Sequence, residues 1–188
     1  MKINLYDFDK TIYNGDSTRD FFFYELKRHP LIFFTLFETA LFALLYVLHI
    51  VSKTKMKEHF YKFLKHIKNI DEEVISFWRS HDKNIKSFYL EKDHTQDIII
   101  SASPEFLLKP ACNKLKVMDL IASRVDKYTG KTEGLNCHDV EKVRRLNEKY
   151  KDYTIMESYS DSLSDTPILE LAKKAYIVKG DELILTDF

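Results

Sequence analysis

Asp97-Ile98-Ile99-Ile100-Ser101-Ala102-Ser103-Pro104-Glu105 is the stretch that decides how this chain folds. A short apolar run of consecutive isoleucines fits a strand buried on both faces of a parallel sheet. Ser103 as cap and Pro104 at the first helical position then predict a helix running to about Lys116, with Pro110 kinking it. A buried strand that feeds a helix is the repeating unit of α/β architecture.

Downstream, the same unit recurs. Leu120 to Val125 reads as a strand, Lys127 to Gly134 as a turn around Gly130, and Asp139 to Tyr150 as a helix with Val140, Val143 and Leu146 facing inward. Tyr153 to Tyr159, Ser162 to Lys173 and Ala175 to Val178 follow as strand, helix and strand. Upstream, Lys2 to Phe8 reads as a first buried strand. The block between Thr11 and Asp97 reads as helical: Ser17 to His29 capped by Asp16 or Ser17, Lys55 to Ile67 with Met56, Phe60, Phe63, Leu64 and Ile67 on one stripe, and Glu72 to Leu90. The expected fold is a three-layer αβα, Rossmann-like core with a parallel sheet and a helical cap inserted after the first strand. The core would take residues 1–15 and 96–188, and the cap residues 16–95.

The 188 residues are 45% apolar and 31% charged, which marks a globular chain able to bury a core. Gly and Pro number only four each, so few and short loops are expected. Formal net charge is zero, and no global basic excess points to nucleic acid. Cys112 and Cys137 show neither a CxxC nor a metal-ligand spacing and read as reduced thiols. The opening residues hold no apolar leader core, so the expectation is a cytoplasmic protein.

Functional side chains of a parallel sheet collect at the carboxyl ends of its strands. Asp7-Phe8-Asp9-Lys10-Thr11 sets two carboxylates just past the first strand, where a cation would be needed to neutralise them. Hard oxygen ligands at a phosphate site favour Mg²⁺. Asp7 could hold the metal with one oxygen and attack phosphorus with the other, while Asp9 lends its backbone carbonyl and moves a proton with its side chain. Ser101 ends the second strand with a hydroxyl, and the N–H groups after it open a helix suited to anions. Lys142, near the start of its helix, could hold the carboxylate beside a phosphate. Arg144 and Arg145 point elsewhere on that helix. Asp161 could bind metal, and Asp165, four residues on, could orient the ligand shell or Lys142. A solvated turn, a strand end, a helix face and a helix cap would account for each segment singly.

Taken in order, DxDxT at a strand end, then Ser, then Lys, then DxxxD resembles the haloacid dehalogenase superfamily. The resemblance covers about residues 1–20 and 97–172. Residues 101–110 (SASPEFLLKP), 123–126 (SRVD), Asn136-Cys137 before 141–146 (EKVRRL), and 158–169 (SYSDSLSDTPIL) are similar to the phosphoserine-phosphatase-like subfamily IB, and most to its phosphatidylglycerophosphatase C type. That resemblance implies Asp7 as nucleophile, Asp9 as acid and base, Lys142 as catalytic cation, and Mg²⁺ held by Asp7, Asp9 and Asp161 with Asp165 in support. It also implies substrate contacts from Thr11, Ser101, Ala102 and Asn136. Two departures bear on the substrate. Asp139 stands where a Gly is usual, and Asp16 stands where phosphoserine phosphatases place the Glu that reads the substrate amine.

The segment Leu31 to Val51 is strongly apolar, yet Thr35, Glu38, Thr39, Phe42, Tyr46 and His49 form a narrow polar stripe along it. A membrane crossing there would divide the site across a bilayer. Lys27 and Arg28 precede the segment, and six lysines against Glu58 alone follow it between Lys53 and Lys68. Two fates are open: burial against neighbouring helices or a second subunit, or contact of residues 27–68 with an anionic membrane. The expected substrate is a phosphorylated small molecule or a phospholipid head group.

Overall fold

The computed structural model describes residues 1–187. Its strands are β1 (Lys2–Tyr6), β2 (Asp97–Pro104), β3 (Asp119–Ser123), β4 (Thr154–Ser160), β5 (Ala172–Lys179) and β6 (Glu182–Thr186). Its helices are α1 (Ser17–Arg28), α2 (Thr35–Val47), α3 (Lys53–Phe60), α4 (Ile70–His81), α5 (Ser87–Leu90), α6 (Glu105–Leu115), α7 (Val140–Lys149) and α8 (Thr166–Leu169). The sheet order is β3-β2-β1-β4-β5-β6, parallel except for the β5–β6 pair. Leu5 of β1 lies opposite Ile98 on one side and Ser158 on the other. The strand order therefore reverses at β1, and a crevice opens beyond its carboxyl end.

Alternation along the strands builds two cores. Ile3, Leu5, Ile98, Ile100, Ile121 and Ile155 meet Leu146 of α7 and Ile168 of α8. Tyr6, Ile99 and Tyr159 join the opposite cluster with Phe21 of α1, Phe77 of α4 and Leu107 of α6. These are the three layers expected of an αβα sandwich. The Trp78 indole N–H donates to the Leu107 carbonyl at 2.6 Å, tying α4 to α6.

Several local expectations need correction. β2 runs on through Pro104, and no side chain caps α6; Ser103 has a different partner, described below. Val140 is 66% exposed, because α7 turns Lys142, Arg145 and Leu146 inward instead. The expected helix at 162–173 shrinks to a 3₁₀ turn, Leu163–Asp165, and α8, since β5 already begins at Ala172. Lys55–Ile67 divides into α3 and a 3₁₀ turn over Tyr61–His66, and Glu72–Leu90 breaks at Asp82–Asn84. The strand β6 had no signal strong enough to separate it from a polar tail. The loops are not all short: residues 124–139 form a long connection, pinned by a Val125–Thr132 bridge. Gly130 sits at its tip with φ +74°, and a Cβ there would lie 2.6 Å from the Tyr61 carbonyl oxygen, so only glycine lets this loop meet the helical block.

Candidate active site

Phe8 is fully buried in the aromatic core, so Asp7 and Asp9 on either side of it turn the other way, into the crevice. The Asp7 N–H donates to the Tyr159 carbonyl at 2.9 Å and carries the β1–β4 pairing one residue further. Lys10 turns the chain at φ +58°, and the Phe8 carbonyl accepts from the N–H groups of Ile12 and Tyr13. The result is a cleft of about 460 Å³ whose lining includes Asp7, Asp9, Ser101, Ala102, Lys142, Asp161 and Asp165.

At its centre the Lys142 ammonium, 2% exposed, donates to Asp7 Oδ1 at 2.7 Å and to Asp165 Oδ2 at 2.6 Å. Ser160 donates to the same Asp165 oxygen at 2.7 Å. The flanking carboxylates hold Lys142 charged, above its ordinary value, against the pull of burial. Burial raises the Asp7 carboxyl above the usual range while Lys142 opposes that rise.

Asp9 is held differently. Its Oδ1 accepts from the Ser17 N–H at 2.6 Å, at the first residue of α1, and its Oδ2 accepts from the Ser103 hydroxyl. Thr18 and Ser103 hydroxyls meet at 2.9 Å behind it. Burial, then Asp16, raises the Asp9 carboxyl above its ordinary value. Ser101 accepts from the Ser103 N–H at 3.1 Å and shapes the loop that presents Ser103.

Asp161 contributes a carboxylate with no side-chain partner among the described residues, raised chiefly by burial. Together with the Asp7 oxygen that Lys142 leaves free, it supplies two hard donors suited to Mg²⁺. Among the described residues, no three Asp, Glu, His or Cys side chains form a ready-made metal cage. The donor set that fits is two carboxylates plus a backbone carbonyl.

Thr11 and Asn136 do not line the cleft. Thr11 is fully buried, and its hydroxyl accepts from the Asp161 N–H at 2.9 Å. Asn136 lies behind the wall, where its Oδ1 accepts from Lys57 at 3.1 Å and from Ser123 at 3.1 Å. Both residues brace the site from outside it. Arg145 turns away, donating to the carbonyls of Ala122 and Leu135. The helical block adds residues that sequence reasoning missed. Lys53, Met56, Lys57 and Phe60 face the cleft from α3, and Thr18 and Arg19 face it from α1. Lys57 donates to the Ala102 carbonyl at 2.9 Å, and burial followed by Lys53 lowers it to about 8. The i, i+4 spacing of Lys53 and Lys57 was the available signal, hidden within a run of lysines that reads as a solvated face.

The protein from Bordetella pertussis Tohama I with unknown function superposes with a TM-score of 0.75 at 20% identity, over 93% of this chain and 88% of that one. A phosphoserine phosphohydrolase-like protein from Francisella tularensis gives 0.58 at 15%, over 93% and 86%. A phosphoserine phosphatase described as a phospho-aspartyl intermediate analogue gives 0.55 at 16%, over 93% and 84%. At such identities these likenesses speak for the fold. No curated protein matches the chain. The family described as haloacid dehalogenase-like hydrolase matches residues 5–170, which take in the end of β1, all of β2, β3 and β4 and all the cleft-lining segments, and stop before β5. The chain belongs to the haloacid dehalogenase-like hydrolase family.

Proposed function

We propose that this hydrolase is a magnesium-dependent phosphomonoesterase that works through an aspartyl-phosphate on Asp7. The observation that carries the reading is Lys142 bridging Asp7 and Asp165, with Asp9 and Asp161 in the same cleft. Asp7 attacks phosphorus, the bond to the leaving oxygen breaks, and Asp9 gives that oxygen its proton. The raised Asp9 carboxyl suits a group that must carry a proton before the step. Water then attacks the aspartyl-phosphate, Asp9 takes the water's proton, and free phosphate leaves Asp7 regenerated. Lys142 and the Ser101–Ser103 segment stabilise the charge on the phosphoryl oxygens. A bound Mg²⁺, held by Asp7, Asp161 and the Asp9 carbonyl, would supply Lewis-acid charge neutralisation.

Arg19, Lys53 and Lys57 around the outer cleft favour a leaving group that is itself anionic. A phospholipid head group bearing a terminal phosphate, as in phosphatidylglycerophosphate, has that character. A soluble phosphorylated metabolite is the second reading, and the named neighbours favour it. Against phosphoserine stands Asp16, whose Oδ1 caps α1 by accepting from the Arg19 N–H at 2.9 Å. Release of phosphate from an aryl phosphate tests the chemistry, and a panel of lipid and soluble phosphomonoesters tests the substrate. Hydrolysis should need Mg²⁺ and stop with a chelator. Failure of the purified protein to release phosphate at any Mg²⁺ concentration would overturn the proposal.

A further inference from the structure

We infer that the outer face of α2 lies in the plane of an anionic lipid surface, beside the cleft. The inner stripe of α2 packs on α3 and the 3₁₀ turn after it: Glu38 accepts from His59 at 2.7 Å and pairs with Lys62, and the Phe42 ring stacks on His59. The outer stripe has no such partner. Phe34, Phe37, Leu44 and Val47 are 69%, 72%, 56% and 68% exposed. Only 6% of the stretch Pro30–Val47 is buried, whereas a core helix of this composition would be mostly enclosed. A contiguous apolar face of this kind marks an interaction surface.

Charge selects the occupant. Residues 27–68 carry eight lysines and arginines against two acids, in a chain whose net charge is zero. α2 itself carries no lysine or arginine; two copies meeting through it would bring the same net-positive flanking segments near each other, while an anionic lipid surface attracts them. Connectivity selects the orientation. The segment is long and apolar enough to cross a bilayer. Yet α1 before it and α3 after it line one and the same cleft, and Glu38 is bound to α3. A crossing would tear those contacts apart, so the helix lies flat with its apolar side down. Its neighbour α3 shows Lys53 and Lys57 to the cleft, which sets the cleft wall next to the lipid head groups. Only the use of that proximity for a lipid substrate rests on the proposed phosphatase activity; the docking itself does not.

The test is co-sedimentation of the full chain with phosphatidylcholine vesicles containing about 30% phosphatidylserine, against vesicles of phosphatidylcholine alone. The protein should pellet with the anionic vesicles at low salt and several-fold less with the neutral ones. The triple variant Phe34→Ser, Phe37→Ser, Leu44→Ser should lose pelleting by about tenfold or more, with near-ultraviolet circular dichroism and aryl phosphate hydrolysis unchanged. Equal pelleting of variant and wild type would overturn the inference. So would no pelleting of the wild type at low salt. A wild-type dimer in sedimentation velocity that becomes a monomer in the variant, without vesicle binding, would assign the face to a second copy instead. A chain that pellets but hydrolyses nothing would leave the docking standing and sink the phosphatase reading alone.

Discussion

On the cleft floor Lys142 touches both Asp7 and Asp165, Ser103 binds Asp9, and Ser160 binds Asp165. On the outer face of α2 and the 3₁₀ turn that leads into it (Pro30–Phe34), Phe34 and Phe37 are 69% and 72% exposed. The two regions lie on either side of α3. In the first, charge is taken out of water and held by its partners; in the second, apolar surface is left in water with none. A buried ion pair of this kind adds little to stability compared with an apolar replacement, but losing one member is costly. An exposed apolar face costs little when a side chain is trimmed. Function should therefore be sensitive to single atoms on the floor and to total area on the face.

The sharpest way to break that contrast is Asp7→Asn. It keeps the shape of the side chain and removes the nucleophile. Turnover of an aryl phosphate should fall on the order of 10⁴-fold or more, while the melting temperature falls far less than on loss of Lys142, because Asp165 still pairs with the ammonium. Robust steady-state hydrolysis by the variant would remove Asp7 from the chemistry.

Lys142→Met comes next, and here stability itself should fall. Asp7 and Asp165 would be left facing each other without a cation, at a cost of about 3–5 kcal/mol in denaturant unfolding. Adding Asp165→Asn should recover part of that loss. Phe34→Ser, by contrast, should change stability by less than about 0.5 kcal/mol. If the two substitutions cost the same, the contrast between the regions fails.

The helical block has one residue that breaks the pattern. Glu25 of α1 is fully buried, and neither carboxylate oxygen has a hydrogen-bond partner among the described residues. Around it stand Arg28, His29 and Glu73, with the His29 Nε2 at 3.5 Å. Burial, then Glu73, pushes the Glu25 carboxyl up to about 7. Because the folded state holds this proton more tightly than the unfolded chain, its contribution is present in full below pH 4.5 and is lost as pH rises through about 7. Glu25→Gln should thus stabilise the protein at pH 8 by on the order of 2 kcal/mol and leave it unchanged near pH 4. Thermal melts at the two pH values check the sign; a variant less stable at pH 8 would show that the ionised carboxylate is satisfied after all.

How far these features could be read in advance follows from the same physics. The triple isoleucine of β2 and the acids after β1 were legible because burial and strand-end placement are local properties of the chain. For Asp165 the sequence left two roles open, the ligand shell or Lys142, and the fold selects Lys142. The role of Ser103 was not legible: a serine before a proline looks like a helix cap, and only the pairing of β1 with β2 brings Asp9 to it. Lys57 was hidden in the same way, because a lysine that crosses from the insert to the Ala102 carbonyl depends on how α3 packs. Val140 misled because an apolar residue in the first turn fits the stripe of Val143 and Leu146; those two do face the core, but in the first turn Glu141 and Lys142 take the inward positions.

Ser103→Ala tests that hidden contact. Removing one hydroxyl bond to Asp9 should lower kcat about tenfold, equivalent to about 1.4 kcal/mol, with KM little changed. The floor should feel this single oxygen, whereas trimming a whole phenyl ring from α2 leaves kcat on a soluble substrate alone. An unchanged kcat would mean that Asp9 is positioned by the Ser17 N–H alone.

The smallest effect belongs to Asp139, at the position where the family resemblance leads one to expect Gly. It precedes α7 at φ +56° and ψ −134°, a conformation that a residue with a Cβ adopts only under strain. Its carbonyl accepts from the Lys142 N–H at 3.0 Å, so the strained turn starts the helix that carries the central cation. Asp139→Gly should relieve the strain and forfeit some of the gain to a more flexible unfolded chain. The net expectation is a gain of about 1 kcal/mol in denaturant unfolding, with kcat unchanged because Asp139 is exposed and its backbone contact persists. A loss of stability instead would mean that the attraction between the Asp139 carboxylate and Lys53 outweighs the strain. In that event the cleft rim as well as its floor would be tuned by charge.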